Sequence, residues 1–231
     1  MASPGTAGAA AAALHCSAVP SGISENSKQR AIRHYDERAE TYGELVTRGP
    51  LRYLRARERR SVLALASLDD PSVRTVIDVG CGDGFYACAA KRAGKWVHAL
   101  DAAPAMVERV RPEVDRATVA DLETLALPER YDVVLCCGVL EFATRPAAAF
   151  EALCRLCAPG GRLIVQVPRA GPGGLLYQLE KWLSGLRVNM YRERWLVERA
   201  ACQGLVLAAA QRPLPFNQVL LFVHRPSPSP P

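Results

Sequence analysis

Val76-Ile77-Asp78-Val79-Gly80-Cys81-Gly82-Asp83-Gly84 places three glycines at alternate positions directly after a short apolar run. Such a run ending in glycine reads as a strand that turns into a helix. Glycine there lets the backbone take positive φ angles and come close to a ligand. Outward from this loop, strand-like and helix-like segments alternate. RTVIDVG (74–80) is followed by a helical FYACAAKRAG (85–94), a strand WVHALD (96–101) and a helix PAMVERVRPE (104–113) opened by Pro104. Strands follow at ATVAD (117–121), YDVVLCCG (131–138) and RLIVQVP (162–168), with a helix over 145–161 before the last of these. Short apolar strands separated by helices predict a parallel sheet covered on both faces. Further helices are expected near 175–186 and 191–203, and LVLAAAQ (205–211) with QVLLFVHR (218–225) suits an antiparallel pair at one edge. Residues 28–66 read as helical throughout.

Two acids sharpen the meaning of the loop. Asp101 ends the second strand, 19 residues after Gly82, and Asp121 ends the expected third strand. Ligands of doubly wound sheets bind at the carboxyl ends of the strands, near the switch point, where all three features fall. A carboxylate ending the second strand can accept both hydroxyls of a ribose, so the site should hold a nucleoside. Dinucleotide enzymes usually show G-x-G-x-x-G, whereas the spacing here is G-x-G-x-G, and no G-x-x-x-x-G-K-[ST] occurs.

Composition bounds the alternatives. The chain has 231 residues, 49% hydrophobic and 23% charged, the balance of a single soluble domain. No apolar run approaches the roughly 20 residues of a membrane-spanning helix. Eight Cys are too few for a disulfide scaffold and point to a reducing, cytoplasmic setting. The net charge of +6 permits an anionic partner without demanding nucleic acid. Residues 1–27, rich in Ala, Gly, Ser and Pro, are expected to be disordered, as is the tail 226–231. One domain is expected over 28–225: a helical cap (28–66), a cofactor-binding core (70–168) and a substrate-side insertion and helix (169–203).

With VIDVGCGDG (76–84), LDAAPAMVERV (100–110), VADLETL (119–125), YDVVLCCGVLEF (131–142) and LCAPGGRLIVQVP (156–168), the chain resembles the class I S-adenosylmethionine-dependent methyltransferases. HYDERAETYGE (34–44) and AACQGL (200–205) look like the ubiquinone- and menaquinone-pathway members. The resemblance implies a Rossmann-like α/β fold, with a seven-stranded, mostly parallel sheet and an N-terminal helical cap. It implies S-adenosyl-L-methionine as cofactor. Gly80, Cys81, Gly82 and Gly84 would form the loop under it, oriented by Asp78. Asp101 would bind the ribose, Ala102 and Met106 would flank the adenine, and Asp121 with Leu122 would read the adenine edge. Cys137 and Gly138 would touch the methionine portion, and Tyr42 would line the pocket.

The implied activity is methyl transfer to a small organic acceptor, with oxygen first, then nitrogen or carbon. The rivals are an NAD(P)-dependent reductase and a cofactor-binding protein without turnover. Many relatives carry Glu-His after the fourth strand; here it is Glu141-Phe142, which weakens a metal-assisted reading, and no metal ligands are expected. Glu141 is either a substrate contact or a solvated loop charge. His34 is either a general base or an exposed helix residue. His98, mid-strand, reads as a hydrogen-bonded core histidine.

Other patterns carry less. Cys154 and Cys157 lack a second pair at zinc spacing and read as core filler. Cys136-Cys137 lacks the Pro-Cys of cytosine-C5 methyltransferases, and no N-P-P-[YF] follows the fourth strand. Six Arg within 48–60 suit an anionic substrate, a carrier, a membrane surface or simply a solvated face. Tyr177 and Lys181 match a reductase Y-x-x-x-K, but read better as an exposed i, i+4 pair. Tyr177, Trp182, Met190, Tyr191 and Trp195 offer apolar surface for an aromatic or lipid-like acceptor, and the Arg-rich segment permits peripheral membrane contact.

Overall fold

The structure is a computed structural model and describes residues 20–48 and 52–224. Three helices open it: α1 (Glu25–Asp36), α2 (Ala39–Arg48) and α3 (Arg52–Ala66). Helix α1 starts three residues before the expected boundary at 28, because the Ser24 hydroxyl accepts from the Ser27 amide and caps it. The expectation for residues 1–19 and 226–231 lies outside the described residues.

Seven strands form one sheet in the order β3-β2-β1-β4-β5-β7-β6. They are β1 (Thr75–Val79), β2 (Trp96–Asp101), β3 (Arg116–Val119), β4 (Tyr131–Cys137), β5 (Cys157–Pro168), β6 (Leu205–Leu214) and β7 (Asn217–His224). The first five run parallel, and β7 pairs antiparallel with both β5 and β6. The connections are α4 (Phe85–Arg92), α5 (Pro104–Val110), α6 (Pro146–Leu156), α7 (Pro172–Leu183) and α8 (Glu193–Cys202). One face of the sheet is covered by a cluster holding Val62, Leu65, Ala87 and Ala90 from α3 and α4. The other is covered by Phe150, Leu153, Trp195 and Leu196 from α6 and α8. Strand order reverses between β1 and β4, and their carboxyl ends flank the crevice where a ligand sits.

Boundaries within the core also differ from the sequence reading. The helix expected over 145–161 ends at Leu156, and β5 begins at once. Pro159 and the glycines cannot extend a helix, and a Cβ on Gly161 would lie 3.0 Å from the Tyr131 and Asp132 carbonyl oxygens. The Pro-Gly-Gly segment is therefore an irregular start to the strand, packed on β4. Strand β3 stops at Val119, because Asp121 instead caps a 3₁₀ turn, accepting from the Glu123 amide at 2.9 Å.

The N-terminal helices dock on α5. Asp36 Oδ1 accepts from the Ala105 amide at 2.8 Å, capping a helix whose own N-cap, Ala103, has no side-chain acceptor. Arg109 Nη1 donates to the carbonyls of Ala39 and Glu40. Lys28 of α1 pairs with Asp121 and Glu123, and Glu123 also accepts from Thr144 and Arg145. The helical cap is thus held on the core by charge-assisted bonds on both sides of the crevice.

Candidate active site

The glycine loop leaves β1 with its amides turned in. Gly80 N and Cys81 N both donate to Leu100 O, at 2.7 and 3.0 Å. Gly80 has φ +75, and a Cβ there would lie 2.0 Å from Val139 Cγ2, so no other residue fits. Gly82, at φ +50, has nothing within 4 Å of the position a Cβ would take. Its backbone faces open cavity, which is the arrangement that lets a ligand approach the chain. Asp101 stands opposite: Oδ2 accepts from Gly82 N at 3.0 Å and Oδ1 from Ala103 N at 2.9 Å. Burial pushes its carboxyl pKa up against these bonds.

Asp78 lies beneath the loop, 1% exposed, and accepts from the Ala87 amide at 3.1 Å. It thereby fixes the first turn of α4. Burial pushes its carboxyl up to about 7, against the Ala87 bond. Neither Asp78 nor Gly84 lines the cavity; Gly84 caps α4 at φ +78, where a Cβ would press on Val110. The other expected cofactor residues do line it: Gly80, Cys81, Gly82, Asp101, Ala102, Met106, Asp121, Leu122, Cys137, Gly138 and Tyr42. Asp121 gives one oxygen to Lys28 and one to the Glu123 amide, so an adenine edge would share a carboxylate already engaged. A glycine loop open to a ligand, a carboxylate at the end of β2 and the apolar slot of Ala102, Met106 and Leu122 together fit a nucleoside.

The cavity continues under the cap into a second half. Tyr35 meets Tyr42 and Phe142 edge to face, with centroids 5.6 and 5.7 Å apart. Behind them stand Glu141, Tyr177 and Lys181, and across from these Arg55, Glu58 and Arg59 of α3. Glu141 is not a solvated loop charge: it is 3% exposed and accepts from the Tyr177 hydroxyl at 2.6 Å. Burial raises its pKa, opposed by the Tyr177 bond and by the charges of Lys181 and Arg55. Glu58 is equally buried, accepting from Arg55 and from Asn217. Arg59 pairs with Asp83 at 3.1 Å and lies 3.8 Å over the Phe85 ring. Part of the arginine cluster is therefore pocket wall rather than solvated face.

Several expectations change here. His34 does not line the cavity; its Nδ1 lies 3.0 Å from Arg38 Nη1, and Tyr35 takes the inward place. Tyr177 and Lys181 are not an exposed pair but point into the cavity. Tyr191 and Trp195 are 0% and 1% exposed, in the core between α6 and α8 rather than at an acceptor. Trp182 faces outward, half exposed, and Met190 lies outside this cavity. His98 is a core histidine, bonded to Tyr131 and Thr118. Cys154 and Cys157 are buried filler. Among the described residues no group of His, Cys, Asp or Glu is placed to hold a metal ion.

The fold and this crevice define a class, an α/β protein that holds a nucleoside at the carboxyl edge of its sheet. Residues 77–165 match the family described as methyltransferase domain. Over this stretch the chain is similar to a methyltransferase domain, and its curated relatives are ubiquinone biosynthesis O-methyltransferases. It is 40% identical over 98 residues to the ubiquinone biosynthesis O-methyltransferase of Serratia proteamaculans, covering 39% of this chain and 41% of that protein. With the Xylella fastidiosa protein of the same name, identity is 38% over 98 residues, covering 39% and 40%. The chain thus matches about two-fifths of the length of these curated relatives. Among solved structures, magnesium protoporphyrin IX methyltransferase from Synechocystis, with bound S-adenosylhomocysteine, superposes at TM-score 0.69 and 18% identity, covering 86% of this chain and all of that one. The N-methyltransferase NodS from Bradyrhizobium japonicum gives 0.61 at 15%, covering 85% and 97%. At such identities these two share the fold.

Proposed function

We propose that the chain transfers a methyl group from S-adenosylmethionine to an oxygen of a small aromatic acceptor. The observation that carries this reading is Glu141, a buried carboxylate in the acceptor half of the cavity, beside an aromatic wall. An oxygen acceptor must lose a proton, and a carboxylate whose pKa is raised by burial is suited to take it. When bound, the cofactor supplies a methyl already activated on a sulfonium, and the sulfur keeps the bonding pair when that methyl leaves. What the protein then contributes is chiefly alignment, which can supply about 7–11 kcal/mol. Tyr35, Tyr42 and Phe142 stack and orient a ring, and the cap excludes water. A labelled-methyl assay over phenols, catechols, hydroxybenzoates and amines tests this, with label expected on phenolic oxygen. Label on the amines alone would overturn the choice of oxygen.

Helix α7 supports peripheral contact with a membrane. Leu175, Leu176, Leu179 and Leu183 point outward, each 49% to 73% exposed, while Tyr177 and Lys181 point in. This reversed amphipathicity suits an apolar medium outside. Co-sedimentation with anionic vesicles is expected, and Leu176→Glu should weaken it; equal sedimentation of the variant would remove α7 from that role. Seven cysteines stand unpaired among the described residues, which suits a reducing, cytoplasmic setting.

A further inference from the structure

We propose that Tyr177 is a positioning residue of this site: its hydroxyl holds the Glu141 carboxylate where it takes the acceptor's proton, and so ties helix α7 to the chemistry. The inference rests on Glu141 acting as base. Tyr177 donates to Glu141 Oε1 at 2.6 Å, which leaves Oε2 for the acceptor. The Tyr177 ring is itself fixed, stacked on Phe216 of the β6–β7 turn at 5.5 Å and 7°. Lys181, one helical turn on, sets its ammonium 5.2 Å from the same ring. The backbone of Glu141 is pinned from the same part of the chain, its carbonyl accepting from the Asn189 amide at 2.8 Å. Asn189 also donates its side-chain amide to Ala143 O at 2.7 Å. Residues 172–191 therefore clamp Glu141 at both ends, side chain and main chain. A carboxylate held by one oxygen has a fixed direction for the other, which is what proton abstraction requires. The proton leaves the acceptor oxygen for Glu141 and passes to water when product leaves.

The titration of Glu141 is set by everything that faces it. Tyr177 and Lys181 do so from α7, Arg55 and Glu58 from α3, Tyr35 from α1, Tyr42 from α2, Cys136 from β4, and Tyr191 from the segment before α8. The Tyr177 bond favours the ionised carboxylate, so its loss raises the pKa and moves the acid limb of activity to higher pH. Tyr177→Phe keeps the ring on Phe216 and removes only this donor. Expected are a kcat lowered about tenfold with catechol as probe, an acid limb shifted upward and unchanged affinity for S-adenosylhomocysteine. The shift is read without turnover from the carbonyl stretch of protonated Glu141 in an infrared titration, identified by its loss in Glu141→Gln. An unmoved infrared titration with an unchanged kcat overturns the role of Tyr177. Loss of S-adenosylhomocysteine affinity in Tyr177→Phe overturns it too, by making the residue a structural prop. A Glu141→Gln enzyme with wild-type kcat would instead overturn the base reading beneath it.

Discussion

Asp101→Ala is expected to weaken S-adenosylhomocysteine binding by roughly 10²-fold or more, the loss of two hydrogen bonds to a charged acceptor at about 1.5–3 kcal/mol each. The carboxylate ends β2, faces the cavity and already holds the amides of Gly82 and Ala103. Those two bonds orient its oxygens, leaving further lone pairs for a ribose. Removing it also frees the Gly82 amide, so the loop loses its brace along with the ligand contact. Asp101→Asn keeps one acceptor and should lose less. Isothermal calorimetry on both variants, with thermal unfolding as a control for folding, gives the measurement. Unchanged affinity in the alanine variant would take Asp101 out of the ribose role.

Glu141→Gln is expected to lower kcat by about 10²–10⁴-fold. Its affinity for S-adenosylhomocysteine should hold, because Glu141 stands in the acceptor half of the cavity. The wild-type profile follows from the direction of its shift. The carboxyl pKa lies above the ordinary carboxylate value, so the base is ionised above that raised pKa and activity falls as pH drops through it. Glutamine has no such titration, and its residual rate should lack this acid limb. An acid limb that survives the substitution would assign the titration to another group.

The cofactor half of the site was legible because it is local. The loop 76–84 and Asp101 are fixed by where strands end, and strand ends are marked by apolar runs and glycines, while Asp121 stands two residues beyond β3. Strand β2 begins and ends where the sequence places it, at Trp96 and Asp101. Of the acceptor half only Tyr42 and the alternative for Glu141 were legible, because its residues come from five separate elements and meet only through tertiary packing. Helical phase could have found part of it. Lys28, Ala31, Ile32 and Tyr35 share one face of α1 and all line the cavity, whereas His34 is out of phase with them. Helix α7 misled for a physical reason: its outward face is the apolar one, so hydrophobicity points away from the side that packs. Tyr191 and Trp195 read as acceptor wall, but α6 and the sheet recruit them to the core.

Glu141 shows the same limit from another side. A carboxylate in a sequence next to Phe142 carries no sign of its burial, and only the clamp by Tyr177 and Asn189 gives it a defined place. The glycine loop could be read because its backbone demands are written in residue type. Glu141 could be read only as one of two alternatives, because its environment is built by segments 36 to 48 residues away in the chain.

The glycine loop and Asp101 suit this crevice to S-adenosylmethionine and not to a dinucleotide. Calorimetric titration of the purified full chain with S-adenosylhomocysteine and, separately, with NADPH tests it most directly. Saturable one-to-one binding of S-adenosylhomocysteine is expected, with no heat from NADPH beyond dilution. Saturable binding of NADPH with none of S-adenosylhomocysteine would contradict it.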